Sequence, residues 1–345
     1  MGDARFIKYR NRGLSGLTNL GNTCFINTSL QLLSNTYELN EFLDNDGYME
    51  KLKNIDDSLL LVEWDNLRRM MWRENSVISP GKFVKTVQKV AKCKNALLFT
   101  EYSQNDVPEF ILFVINCFHD SLSREVSMNI SGKSKTKDDA VAMQCYKMIQ
   151  NIYSKDYSEM ITMFYGIQIS EIVSLETNAT HSMKPESFFI INLPIPQNCK
   201  SLYDCFDLHI KGEILDGENA WFNEDSNLYQ NVKKSISYWS FPNILVIDIK
   251  RFDNNSLKNN EIIYFPPNGL DLSKYAVGYK KDSYIYDLYG VCNHIGSFNG
   301  GHYTAFIKNA NGIWYYYDDE SITEVNDEAN IITRYAYCFF YRKRL

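Results

Sequence analysis

Between Cys24 and Asn151 the apolar positions recur mostly with a helical period, whereas beyond Ser158 they gather into short β-branched and aromatic runs divided by turn residues. After Cys24, Ile26, Leu30 and Leu33 fall at intervals that line one side of a helix. In "SPGKFVKTVQKV", Ser79 and Pro80 supply a cap and a first-turn residue ahead of Phe83, Val84, Val87 and Val90. "FILFVINCF" (Phe110 to Phe118) is apolar but far shorter than the roughly 20 residues a membrane helix needs, so it reads as a buried helix.

The second part predicts strands at "FYGIQISEIVSL", "SFFIINLPI", "NILVIDIKRF", "YDLYGVCNHIG", "GHYTAFIKN", "GIWYYYDD" and "YAYCFFYRK", in a mostly antiparallel sheet. The Asn-rich stretch Asp253 to Glu261 reads as a solvent-exposed loop, and so does Ser131 to Asp139. The Gly-Lys-Ser in the latter is no phosphate loop, because the earlier glycine that motif requires falls at Ser127. A helical half followed by a sheet half is an α+β pattern with a cleft between the halves as the natural site. No repeat and no Pro- or Ser-rich linker divides the chain, which predicts one domain.

Composition narrows the classes. The 345 residues are 45% hydrophobic and 23% charged, with 24 Tyr and 20 Phe, a globular balance. A net charge of −6 speaks against a nucleic-acid binder and suits a basic protein partner. The eight cysteines lack a disulfide framework spacing and "MGDARFIKYR" is too polar for a secretory signal, so a cytoplasmic or nuclear protein with reduced thiols is expected, neither secreted nor membrane-bound. Phe6 stands where a myristoylation site wants Ser or Thr.

One cysteine sits in chemically suggestive surroundings. Cys24 opens the first helical run, behind Gly21, which permits a tight turn, and behind Asn22 and Thr23, which are capping types. Unpaired N–H groups at a helix amino end favour a thiolate, so a lowered thiol pKa is expected there. A nucleophile also needs a base, and of His119, His181, His209, His294 and His302 the last has the most telling context. Gly300 and Gly301 clear its approach, and the chain then reads as a strand, an Asn-Gly turn and a strand ending in Asp318, Asp319 and Glu320. A hairpin closed by Lys308 and Ile313 sets His302 opposite Asp319, and closure by Ala310 and Ile313 sets it opposite Ser321. A one-residue slip reverses the faces, so spacing leaves Asp318 and Asp319 both open as the acid of a Cys–His–Asp arrangement.

These segments resemble the ubiquitin-specific proteases, papain-like cysteine deubiquitinases. "GLTNLGNTCFINTSLQLL" is similar to their cysteine box, "TEYSQNDVPEFILFVINCFHD" to their Gln-x-Asp-Ala-x-Glu-Phe segment, "PNILVIDIKRF" to the strand ending in Lys-Arg-Phe. "YDLYGVCNHIGSFNGGHYTAFIKN" with "WYYYDDESITEV" resembles the histidine box, and the order from Gly13 to Arg342 is the family's. The resemblance implies a helical thumb, an antiparallel β palm and β fingers: an extension at 1–12, then a catalytic domain at 13–345 with the thumb at about 13–157 and fingers and palm at 158–345.

It further implies Cys24 as nucleophile, His302 as base, Asp318 as its partner, Asp319 as substitute or helper, and Asn19 with the Cys24 N–H as oxyanion donors; on chemistry alone Asn22 is an alternative donor. Gln104 and Asp106 match positions that hold the extended ubiquitin tail, and Asp106 suits the tail's arginines. His294 and Tyr303, with Gly300 and Gly301, match the channel for the terminal Gly-Gly, while Glu109 and Phe110 read as structural. The segment's usual alanine is Val107, with Pro108 next, so that helix is expected to begin at Pro108.

Many members bind zinc through two Cys-x-x-Cys pairs in the fingers; the corresponding stretches, Leu175 to Asn178 and Asn223 to Ser226, hold none. No metal or other cofactor is therefore expected; Cys199, Cys205, His209 and His181 are the alternative set of four. The resemblance implies a monomeric deubiquitinase acting on ubiquitin or ubiquitinated proteins through a thioester. A silent ubiquitin-binding module, a protease for another ubiquitin-like modifier, and a papain-type transferase or small-amide hydrolase are the rivals.

Overall fold

Helix α1 (Cys24–Ser34) lies in the middle of the molecule with every residue buried, polar ones included. In the computed structural model, which describes residues 4–45, 47–298 and 300–344, those polar residues tie α1 to its surroundings. Gln31 donates to the Ser15 carbonyl at 2.7 Å and Asn27 to that of Leu17 at 3.2 Å, while Trp72 donates to Ser34 Oγ at 2.9 Å. Around α1 stand α2 (Tyr37–Asn45), α3 (Tyr48–Lys51), α4 (Asp56–Arg73), α5 (Gly81–Cys93) and α6 (Val107–Leu122), followed by α7 (Lys137–Asp156) and α8 (Glu159–Phe164).

Three helix starts differ in detail from the sequence expectation. Pro80, not Ser79, holds the cap position of α5, because the first helical bond runs from the Val84 N–H to the Pro80 carbonyl at 3.0 Å. Helix α6 begins at Val107, one residue ahead of Pro108, and Asp106 caps it by accepting the Glu109 N–H at 3.4 Å. Thr136 and Asp139 form a capping box, so the loop from Ser131 ends at Thr136 and α7 takes the rest. The apolar Phe110–Phe118 segment is buried within α6 except for Leu112, which is exposed, and Asn116, which is half-buried, and no helix among the described residues is long and apolar enough to cross a membrane.

Beyond α8 the chain is mainly strands. Strand β1 (Gly16–Leu17) had paired in parallel with β2 (Val77–Ile78) inside the helical half. Then come β3 (Gly166–Ser174), β4 (Thr180–Phe188), β5 (Ile190–Leu193), α9 (Leu202–Lys211), β6 (Glu213–Leu215), β7 (Trp221–Asn223), β8 (Leu228–Gln230) and β9 (Val232–Ser240). The last group is β10 (Ile244–Ile249), β11 (Leu270–Asp271), β12 (Ile285–Ser297), β13 (Gly300–Lys308), β14 (Trp314–Asp318), β15 (Ser321–Val325) and β16 (Ala336–Lys343).

The fingers are the antiparallel sheet β4-β3-β9-β6 with the β7–β8 hairpin apart from it. The palm runs β15-β14-β13-β12-β16-β10-β5, antiparallel except where β10 meets β5. Palm side chains alternate between two cores: Ile244 and Val246 pack with the thumb helices, while Leu245, Ile247 and Ile249 enter a second core with α9. Helix α9, absent from the sequence reading, is started by a Ser201–Asp204 capping box and seated by Leu202, Cys205 and Phe206.

Within the expected extension Phe6 and Tyr9 are buried, and Tyr9 stacks on Tyr37 at 4.5 Å. Residues 1–3 of the expected extension lie outside the described residues. Arg342 of β16 lies between the Phe6, Tyr37 and Tyr289 rings while its Nε pairs with Glu38 at 2.6 Å.

Thumb and palm also meet backbone to backbone at β1. The Leu17 N–H donates to the Asp319 carbonyl at 2.8 Å, and a Cβ at Gly16 would lie 2.2 Å from the Glu320 oxygen. Gly16→Ala is expected to lower stability by about 2 kcal/mol or more, since neither backbone can give way alone. Thermal unfolding reads this, and an unchanged melting temperature would show that the junction is soft.

Candidate active site

The loop before α1 turns through two left-handed residues, Gly21 at φ 99° and Asn22 at φ 55°. Asn19 Oδ1 stabilises that turn by accepting the N–H groups of Gly21 at 2.9 Å and Thr23 at 3.3 Å. Asn22 points elsewhere and donates to the Tyr102 carbonyl at 3.1 Å. Cys24 follows as the first residue of α1, and it is buried, 3% exposed. Here the expected pKa direction is reversed. Burial pushes the thiol up, and Asp319 adds to this, outweighing the N–H groups of Tyr303, Phe25 and Cys24 itself that pull it down. The resting group is therefore favoured as a neutral thiol beside the backbone of the residue after His302.

His302 Nε2 meets Asp318 Oδ1 at 2.6 Å, with both side chains about two-fifths exposed. Neither expected hairpin closure occurs. Lys308 pairs with Trp314 and Ala305 with Tyr317, a register midway between the two, which continued outward would set His302 opposite Glu320. Asp318 is then its diagonal neighbour on the same face. Asp319, at φ 47°, leaves the strand and turns to the thumb, where its two oxygens accept from Asn19 Nδ2 and Asn27 Nδ2, each at 2.8 Å. The two adjacent acids thus divide their contacts, one on the imidazole and one on the cysteine loop.

Beside this group a cavity of about 1000 Å³ opens between α6 and the palm, lined by Gln104, Asp106, His294, Gly300, Gly301 and Tyr303 among others. Gln104 bridges to β13, donating to the Gly301 carbonyl at 3.1 Å and accepting its N–H at 2.8 Å. A side chain is excluded at Gly301, where a Cβ would lie 2.5 Å from both the Ile295 carbonyl oxygen and His294 Nε2, whereas at Gly300 it would meet Gln104 Oε1 at 2.8 Å and displace that amide. Asp106, while capping α6, accepts the hydroxyls of Tyr337 at 2.8 Å and Tyr303 at 3.3 Å. Burial raises its pKa against those hydrogen bonds.

His294 is buried against Tyr303 and Tyr337, and burial followed by the charge of Lys258 brings its pKa down to about 4. Lys258 Nζ lies 3.0 Å from His294 Nδ1 and donates to the His294 carbonyl at 2.5 Å. The stretch 253–261 is thus a loop that reaches into the site, not only a solvent-facing one. Sequence reasoning missed Lys258, Tyr337 and Asp248. No motif marks the first two, but an acid in the otherwise apolar run Ile244–Ile249 was a visible anomaly.

Cys199 and Cys205 lie with their sulfurs 3.4 Å apart, but His209 faces Tyr238 and His181 stacks on Trp221, so these four do not gather as one ligand set. Among the described residues the group with three donor atoms within 4.8 Å of one another is His302, Asp318 and Asp319, whose atoms already hold each other, Asn19 and Asn27.

The family model described as ubiquitin carboxyl-terminal hydrolase matches residues 15–341. The human ubiquitin carboxyl-terminal hydrolase 2 is 30% identical over 96% of this chain and 55% of its own length. The Drosophila melanogaster hydrolase Usp2 is 30% identical over 97% of this chain and 35% of its own. The chain thus spans about half or less of the length of these relatives. Among solved structures, a SAGA DUB module of Ubp8, Sgf11, Sus1 and Sgf73 bound to monoubiquitin superposes with a TM-score of 0.72 at 24% identity, covering 98% of this chain and 70% of that one. The same module bound to ubiquitin aldehyde gives 0.72 and 24% over 98% of this chain and 71% of that one.

Proposed function

From the premise that this chain belongs to the ubiquitin carboxyl-terminal hydrolase family, we propose that it is a cysteine-type deubiquitinase that cleaves the peptide or isopeptide bond after ubiquitin's terminal glycine. The observation that carries the reading is the convergence of three chain segments. The backbone of Tyr303, next to His302, bears on the Cys24 thiol, His302 is held by Asp318 at 2.6 Å, and the cysteine loop is held by Asp319.

Asp318 occupies His302 Nε2, which leaves Nδ1 to exchange the proton. His302 takes the Cys24 proton as the sulfur attacks the glycine carbonyl carbon, and the carbonyl π electrons move onto oxygen. Asn19 keeps one Nδ2 hydrogen on Asp319, and its second hydrogen, with the Cys24 N–H, serves the oxyanion. Collapse breaks the C–N bond, with His302 protonating the departing amine, and leaves a thioester. Water, deprotonated by His302, then attacks the thioester, and the thiolate leaves and recovers its proton. The bare backbone at Gly300 and Gly301 beside His294 and Tyr303 suits a tail ending in two glycines.

Ubiquitin carrying a thiol-reactive C-terminus tests this directly, read by intact mass. One covalent adduct is expected, forming faster than with any other Gly-Gly-tailed modifier bearing the same group. Ubiquitin binding with no adduct would identify a silent module, and an adduct with another modifier alone would reassign the substrate.

A further inference from the structure

The loop that follows β10 is shaped to deliver one ammonium group. Arg251 is buried and donates to the carbonyls of Ala336 at 2.6 Å, Asn259 at 2.9 Å and Glu261 at 3.0 Å, while its own carbonyl accepts the Asn259 N–H at 2.6 Å. Asp253 Oδ1 gathers the N–H groups of Asn255 at 2.9 Å and Leu257 at 2.8 Å, and Phe252 and Lys258 pair as an antiparallel bridge. The Lys258 backbone is thereby held on both sides while its Nζ reaches across the Phe252 ring to His294.

There Nζ grips both the ring and the backbone of one residue, His294 Nδ1 at 3.0 Å and the His294 carbonyl at 2.5 Å. Burial first, and then Arg251, bring the Lys258 pKa down to about 8, so the group is still mostly an ammonium at neutral pH. An ammonium has donors and no acceptor. Nδ1 must therefore accept, and because His294 is neutral at that pH its single ring hydrogen sits on Nε2. The other titratable groups against the ring are Tyr303 of β13 and Tyr337 of β16, both kept as phenols by burial. Asp106 of α6 is engaged by those two hydroxyls, and Cys292 of β12, which bears on Lys258, is kept as a thiol by burial.

Nε2 faces the other way, toward Gly301 in the cavity wall, and has no hydrogen-bond partner among the described residues. Resting on the deubiquitinase reading above, we propose that Lys258 is a positioning residue that locks the His294 imidazole with its hydrogen on Nε2, so that this N–H donates to a backbone carbonyl of the substrate tail as it passes Gly301. Lys258 touches no reacting atom and acts only through the ring. An extended tail offers carbonyls whatever its side chains, so the contact reads main chain. With the tautomer unlocked, a share of the molecules would present Nε2 as an acceptor, which a carbonyl oxygen cannot use.

Nitrogen-15 NMR of the histidine rings in the full chain tests the lock, with the His294 signals assigned by their loss in His294→Gln. The wild-type protein at neutral pH is expected to show a protonated Nε2 and a bare Nδ1. Lys258→Met is expected to mix the two tautomers and to raise the His294 pKa, since the charge that helps to lower it is gone, and Lys258→Arg to restore the single form. A hydrogen on Nδ1 in the wild-type protein, or an unchanged tautomer and pKa in Lys258→Met, would overturn the proposal. The wild-type spectrum can refute the lock whatever a variant does to stability. Hydrolysis of ubiquitin bearing a fluorogenic C-terminal amide reads the consequence: Lys258→Met is expected to raise KM about fivefold with kcat changed by less than about twofold, and Lys258→Arg to recover most of the loss. An unchanged KM would overturn the tail contact, whereas no turnover by the wild-type protein would remove the enzyme reading itself, with the ring spectrum still deciding the lock.

Discussion

Alanine at position 24 is expected to lower kcat/KM by about four orders of magnitude or more, with ubiquitin still bound. The reasoning begins with the thiol's surroundings. Cys24 alone heads the helix whose preceding loop is shaped by Asn19 and braced by Asp319, so no neighbouring sulfur can take its place. Cys292 is fully buried, and burial drives its thiol well above the ordinary range. Losing one sulfur from a buried site costs on the order of 1 kcal/mol, so the variant should fold, bind ubiquitin by calorimetry and form no adduct with reactive ubiquitin. Turnover retained at more than about one per cent of wild type would place the nucleophile elsewhere.

Replacing His302 by alanine is expected to cost about three orders of magnitude near neutral pH, and the shape of its pH profile is more diagnostic than the size of the loss. Because burial raises the Cys24 pKa, the thiolate is scarce at neutrality unless a base removes the proton. The sign follows directly. Without His302 the ionised fraction grows only as pH climbs toward that raised pKa, so the residual rate should rise steadily into the alkaline range, whereas the wild-type rate levels off earlier. Asp318→Asn should fall between the two, since an amide oxygen still accepts from Nε2 but carries no charge to steady the imidazolium. Stopped-flow rates across pH 6 to about 10 distinguish the cases. A flat profile for His302→Ala would mean the thiol ionises without this imidazole.

Periodicity located β3, β10, β12, β13, β14 and β16 because each is a short apolar or aromatic run bounded by turn residues. Helix α9 escaped it: Leu202, Cys205 and Phe206 make a single apolar stripe less than three turns long, too brief to register in a strand-rich region. Hairpin spacing brought His302 near the acids yet could not say which one it meets. That answer came from Asp319 leaving the strand at φ 47° to reach Asn19 and Asn27, a contact 300 residues away in sequence and so invisible to local pattern. The raised Cys24 pKa escaped for a related reason, because helix-end chemistry is local whereas burial is created by the palm closing over the thumb.

The bond between Asn19 and Asp319, like that between the Leu17 N–H and the Asp319 carbonyl, joins the segment just ahead of α1 to the turn after β14. A growing chain therefore carries its sulfur through the making of α1 to β12 without either the imidazole or the brace that shapes the loop beside it. On the proposed mechanism, a copy that stops short of the palm has the sulfur but no proton relay, so competence waits on the long-range closure that brings the two together.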